Sequence, residues 1–186
     1  MTNKTKMFWN LALVRGVYGI FATIGGAYCR WFDNDLRTDL MFGRTEISNL
    51  LGIMHLGFFI YECSTQIYFD YKFKTFNKLL HFHHLLSILA SIHVVVGKVN
   101  HFYGSTMPFL EMSTPFSCVC YILLQLKLAD SFIWKANQMI LIYIFHLRTV
   151  YEALNIYEMY IYWDLFKLLP VGMLVLHTMG LFSCMK

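Results

Sequence analysis

Charge is what this chain has least of. Only 14% of its 186 residues are Asp, Glu, Lys or Arg, against about 25% in ordinary soluble domains. The small net charge of +4 is scattered, with no basic run fit to follow a phosphate backbone, so nucleic acid is not an expected partner. The five cysteines, Cys29, Cys63, Cys118, Cys120 and Cys184, form no C-x-x-C pair. They read as small buried hydrophobes, not as a disulfide frame or a zinc site. Flexible linkers, low-complexity tracts and internal repeats are missing too, and the length is that of one domain, 1–186. What fills the space is apolar: 58% of the residues are hydrophobic. Such a composition excludes an ordinary soluble domain and points to a membrane.

Six apolar stretches are each near the roughly 20 residues that a bilayer core requires. They run over Phe8–Trp31, Ile47–Phe69, Leu79–Gly97, Pro108–Leu126, Trp134–Leu154 and Tyr160–Phe182. The expected fold is therefore all-α: a polytopic integral membrane bundle of about six transmembrane helices around a polar interior. The first stretch is too long for the apolar region of a cleavable signal. Short connections make neighbouring helices antiparallel neighbours in space. An even number of spans puts both termini on one side, together with Lys4, Lys6, Lys72, Lys74, Lys78, Lys127, Lys135 and Lys186. Arg30, Arg37, Arg44 and Lys98 fall on the other side. The positive-inside rule then places the termini in the cytosol, or in the matrix if the membrane is mitochondrial. The expected location is an intracellular membrane, the endoplasmic reticulum or the mitochondrial inner membrane.

The polar residues inside these stretches are the informative ones, because polar groups persist in lipid mainly where they face protein, water or a ligand. On the third span His83, His84, Ser87 and Ser91 fall within an arc of roughly 100°, with His81 at its edge. On the fourth, Glu111, Thr114, Cys118, Tyr121 and Gln125 form one continuous seam. On the second, His55, Glu62 and Gln66 share a face. Arg148 stands on the polar face of the fifth. On the first, Gly19, Ala22 and Gly26 make a small-residue face beside Arg15, suited to close helix packing. Convergent stripes of this kind predict a polar intramembrane cavity, and the arcs of the third and fourth spans are expected to face each other.

Two blocks carry a resemblance: His83-His84-x-x-Ser87, and Glu111-x-Ser113-Thr114-Pro115-Phe116 about 25 residues further on. Together with Gly57-Phe58-Phe59-Ile60-Tyr61-Glu62 before them and Asn137 with Ile144-Phe145-x-x-Arg148 after them, they resemble the TLC domain family. That family holds ceramide synthases, translocation-associated membrane proteins and lipid-regulating proteins. The Asp-rich stretch of the ceramide synthases is replaced here by Val99-Asn100-His101-Phe102-Tyr103-Gly104-Ser105-Thr106, so the chain is similar to the non-synthase branch. Its amino-terminal part looks shortened, and Cys118-Val119-Cys120 occupies a segment where that branch often has Asn and Arg.

The resemblance implies a multi-pass protein that binds or handles membrane lipid in its polar cavity, with Ser87, Ser91, Thr114, Tyr121, Arg148, Glu62 and His55 as cavity residues. If acyl transfer takes place, His83 or His84 would be the base or transient acyl carrier, since histidine titrates near neutrality. Glu111 would orient it, and Arg148 would bind a carboxylate or phosphate. A different class of role is a non-catalytic accessory or scaffold subunit packed against other membrane protein subunits. Bis-histidine haem would need two imidazoles facing each other from different helices. His55, His84, His146 and His177 do lie on different predicted spans, but no spacing pairs them. Neither a cofactor nor a metal is expected.

Overall fold

The computed structural model describes residues 3–161. The sixth predicted span, Tyr160–Phe182, lies almost wholly outside the described residues, as do His177, Cys184 and Lys186. The described part is all-helical: α1 (Asn3–Trp31), α2 (Asn34–Thr38), α3 (Glu46–Phe73), α4 (Lys78–Gly97), α5 (His101–Gly104), α6 (Thr106–Phe109), a 3-10 turn (Leu110–Ser113), α7 (Thr114–Gln125) and α8 (Phe132–Ile161). Four helical stretches are long and apolar enough to cross a membrane: Lys4–Trp31, Lys78–Gly97, His101–Gln125 and Phe132–Ile161.

A polar seam runs along α3. Ser48, His55, Glu62, Gln66 and Asp70 are all buried on one face, at spacings of seven and four that keep a helical stripe in register. Outward faces show the reverse pattern. On α1, Val17, Ile20, Phe21 and Ile24 are exposed, as expected where the surroundings are hydrocarbon. Local chemistry fixes the helix ends. The Thr45 and Ser48 side chains cap the start of α3 reciprocally. Asn77 accepts from the Leu80 N–H to start α4. Lys74 and Lys98 adopt left-handed backbone at the two C-termini.

α1 occupies the centre. It packs against α3 on one side and against α6, the 3-10 turn and α7 on the other; α4 lies on α3, and α8 on the 3-10 turn and α7. The small-residue face of α1 makes this possible. A Cβ on Gly26 would stand 2.6 Å from the Phe109 backbone nitrogen, and one on Gly19 would stand 2.8 Å from Pro115 Cδ. Neither position has room for a methyl group.

The fourth predicted span is not one helix. It starts earlier than expected, at His101, and passes through α5, α6 and the 3-10 turn before a regular helix begins at Thr114. Pro115 is in the first turn of α7 and has no N–H to give to the Glu111 carbonyl one α-turn back. The Thr114 N–H takes that carbonyl in the tighter 3-10 pattern. This irregular backbone is buried against α1 and α8, which is where a bilayer tolerates it. The apolar core, including Cys29, Leu36, Leu51, Val94, Phe102, Tyr103 and Met159, gathers at this end of the bundle.

Candidate functional site

Charged side chains converge at mid-depth. Arg15, Glu62, Glu111 and Arg148 fall in the middle third of their helices, with His83 and His84 just outside it. Glu62 is the hub. Its Oε1 pairs with Arg15 of α1 and lies 3.4 Å from His84 Nε2 of α4. His84 is buried, and its other ring nitrogen, Nδ1, has no hydrogen-bond partner. His83 is part-buried beside it, with ring centroids 5.7 Å apart, and both imidazoles meet Phe59 edge to face.

Glu111 accepts a hydrogen bond from Thr114 Oγ1 at 2.5 Å. Arg148 Nη1 donates to Ser113 Oγ at 3.4 Å. The charges of Arg148, Glu62 and Arg15 all act on Glu111, and those of His84, Arg148 and Glu62 act on His83. Two arginines and two carboxyl groups are thus brought into one group from four elements, α1, α3, the 3-10 turn and α8, where a low-dielectric setting favours opposite charges meeting.

The expected pairing of the third and fourth spans is replaced. No hydrogen bond joins His83 or His84 to Glu111 or Thr114, and the carboxylate that holds His84 is Glu62. The reason lies in packing. The broken helix has docked on the small-residue face of α1, so the polar seam of α3 is what α4 meets. Of the other predicted cavity residues, Ser87 and Ser91 are buried but donate to the carbonyls of His83 and Ser87 on their own helix. His55 Nδ1 is hydrogen-bonded with the Tyr18 hydroxyl. Tyr121 is only part-buried and makes no hydrogen bond among the described residues.

Arg15 and Tyr18 were not foreseen as site residues. The signal for Arg15 was present, a lone guanidinium in the middle of an apolar run, but its neighbours Gly19, Ala22 and Gly26 drew attention to packing. A cavity of about 10 Å3 lies above the cluster; Ser48, His55, Ser91, His101 and Ser105 are among its walls, but Leu51, Val94, Met107 and Pro108 help to make most of the lining apolar. Among the described residues no group of three or more His, Cys, Asp or Glu side chains is placed to hold a metal ion.

Arg15 decides how this cluster is read. At mid-depth, and already paired with Glu62, it keeps 28% of its side chain exposed, whereas Glu62 keeps 8%. The Arg15 Nε is buried without a hydrogen-bond partner, so the exposure is not of the whole guanidinium.

The family model of the TLC domain, covering the TRAM, LAG1 and CLN8 proteins, matches residues 9–185. The chain belongs to the TLC domain family. Protein CLN8 of Mus musculus is 33% identical over 162 residues, which is 87% of this chain and 56% of that protein. Protein CLN8 of Homo sapiens is 32% identical over 162 residues, 87% of this chain and 57% of that protein. The chain thus spans little more than half the length of these relatives. No solved structure matches it. Membership of this family and the apolar helices make the chain an integral membrane protein.

Proposed function

We propose that this chain binds a membrane lipid through its polar group at the mid-depth cluster and holds it there for handling within the bilayer. The observation that carries this reading is the part-exposed Arg15. A cation open to the apolar part of a membrane is costly unless something polar meets it, and a lipid reaching in from the side brings such a group with it. Arg148, whose hydrogen bond to Ser113 is long and whose charge also acts on Glu111, is the second cation in reach of a carboxylate or phosphate in this reading. The membrane is an intracellular one in this reading, and the amino terminus faces the cytosol on the strength of the lysine bias.

A second reading, acyl transfer, is favoured by the state of His84. A carboxylate fixes one imidazole nitrogen and leaves the other unpartnered, which is the arrangement that orients a general base. Glu62, in place of Glu111, would be the orienting group. The test is to purify the protein in mild detergent, extract what it holds, and repeat with Arg15→Gln. A lipid class retained by the wild type and lost from the folded Arg15→Gln variant supports binding. Turnover of that lipid, lost in His84→Gln, adds catalysis. A stoichiometric complex with other membrane subunits and no retained lipid would overturn both readings in favour of a scaffold role.

A further inference from the structure

The end of α3 and the start of α4 carry three exposed lysines, Lys72, Lys74 and Lys78, and a single carboxylate, Asp70. That carboxylate is withdrawn from the surface, with 7% of its side chain exposed. Its Oδ1 accepts from Gln66 Nε2 at 3.2 Å and from Thr75 Oγ1 at 3.0 Å, and its Oδ2 from His81 Nε2 at 2.5 Å. Donors from α3, the turn and α4 thus make Asp70 an internal tie, and it does not neutralise the lysines. The start of α1 adds Lys4 and Lys6, also exposed. Lys4 Nζ lies 5.3 Å from the centroid of the Phe73 ring, and Lys72 Nζ lies 5.7 Å from the same centroid. Phe8 of α1 packs on that ring too, which holds the two helix ends together. The polar partners of Lys72 are neutral, the Tyr68 hydroxyl at 3.2 Å and the Met7 sulfur at 3.5 Å. Among the described residues none of these lysines is in an ion pair.

Two ammoniums gathered on one ring with no acid between them repel each other, and an anion beside them relieves that cost. The position fixes the kind of anion. Lys4 and Lys78 each begin a membrane-crossing stretch, so the patch stands at the level of the phospholipid headgroups. Tyr71 and Phe76 beside it are strongly exposed, and aromatic rings are at home at that level.

We propose that Lys4, Lys72 and Phe73 form a subsite for the headgroup of an anionic phospholipid in the leaflet that holds the amino terminus, with Lys74 and Lys78 extending its positive field. A lysine ammonium is a compact point charge suited to a phosphate. Phosphatidylcholine, whose choline balances its phosphate, gains little there. Phosphatidylserine, with a net negative headgroup, gains about fivefold in affinity for each lysine close to the membrane surface. The subsite stands at the end of the bundle and does not depend on the mid-depth cluster.

The test titrates the protein in mild detergent with phosphatidylserine or phosphatidylcholine and counts the bound lipids by native mass spectrometry. The wild type should prefer phosphatidylserine. Lys4→Gln/Lys72→Gln should weaken phosphatidylserine by roughly twentyfold and leave phosphatidylcholine nearly unchanged. Lys127→Gln/Lys135→Gln makes the same change of charge on the α7–α8 turn, at the same end of the bundle because α7 runs antiparallel to α1. It should keep most of the preference. Arg15→Gln should keep it as well, which separates this subsite from lipid binding at mid-depth. Equal affinity for the two lipids in the wild type would overturn the proposal. So would a preference unchanged in folded Lys4→Gln/Lys72→Gln, an equal loss in Lys127→Gln/Lys135→Gln, or a preference that disappears with Arg15→Gln.

Discussion

Arg15 and Glu62 join the central helix to its polar neighbour in the middle of the membrane, and the same carboxylate oxygen serves His84. One side chain thus ties α1, α3 and α4 together. Removing it strands two partners where water cannot replace it, whereas removing the arginine leaves Glu62 with His84.

Glu62→Ala is expected to destabilise the folded protein by about 3–5 kcal/mol, the usual cost of leaving a buried charge unpaired. The double variant Arg15→Met/Glu62→Met should recover most of that loss, because neither charge then remains. Thermal unfolding in detergent, followed by tryptophan fluorescence, reports both. Equal destabilisation in the single and double variants would mean that the pair is not coupled.

At His84 the two substitutions separate chemistry from packing. His84→Ala leaves Glu62 short of a donor and should cost about 1–3 kcal/mol. His84→Gln keeps a donor within reach of Glu62 but cannot take up a proton near neutral pH. If acyl transfer occurs, His84→Gln should accumulate normally and turn nothing over. If the residue is structural, Gln should behave as the wild type and only Ala should lower abundance.

Two glycines on neighbouring helices should respond in opposite ways to the same change. Gly26→Ala drives a methyl into the Phe109 backbone, and a cost of about 1–3 kcal/mol is expected from overpacking a tight contact. Gly57→Ala meets nothing within 4 Å and should stabilise α3 by about 0.5–1 kcal/mol through reduced backbone freedom. Melting temperatures shifted in the same direction would contradict the placement of α1.

The topology is open to a labelling experiment, provided that the sites are exposed. Lys74 and Lys98 both are, at opposite ends of α4, while Phe102 nearby is buried. In sealed microsomes, a membrane-impermeant thiol reagent should reach Lys74→Cys from the cytosolic side and Lys98→Cys only after permeabilisation. Labelling of both from outside would break the membrane crossing of α4.

Much of the bundle could be read from the sequence because lipid imposes a simple rule: a stretch must be apolar and about 20 residues long. The α4 and α8 segments and the small-residue face of α1 follow from that rule and from helical periodicity. The break between His101 and Ser113 was hidden because apolarity continues through it and only backbone geometry changes. The choice between Glu62 and Glu111 as the partner of His84 was equally hidden. Both carboxylates lie on polar stripes at suitable depth, and which one meets α4 depends on which helices α1 separates. That is a property of packing order, and no local pattern records it.

The position of α1 has a further consequence for how the protein is made. Within this chain α1 precedes every helix it packs against, so it is synthesised before α3, α6, the 3-10 turn and α7. Arg15 then has no counter-ion until α3 has been inserted, and the notch at Gly26 stays unfilled until Phe109 follows. Biogenesis therefore includes an interval in which a cationic helix must be sheltered at the insertion machinery. Final closure waits for the segment His101–Gln125, and an interruption before that point leaves an assembly with its central helix half clothed.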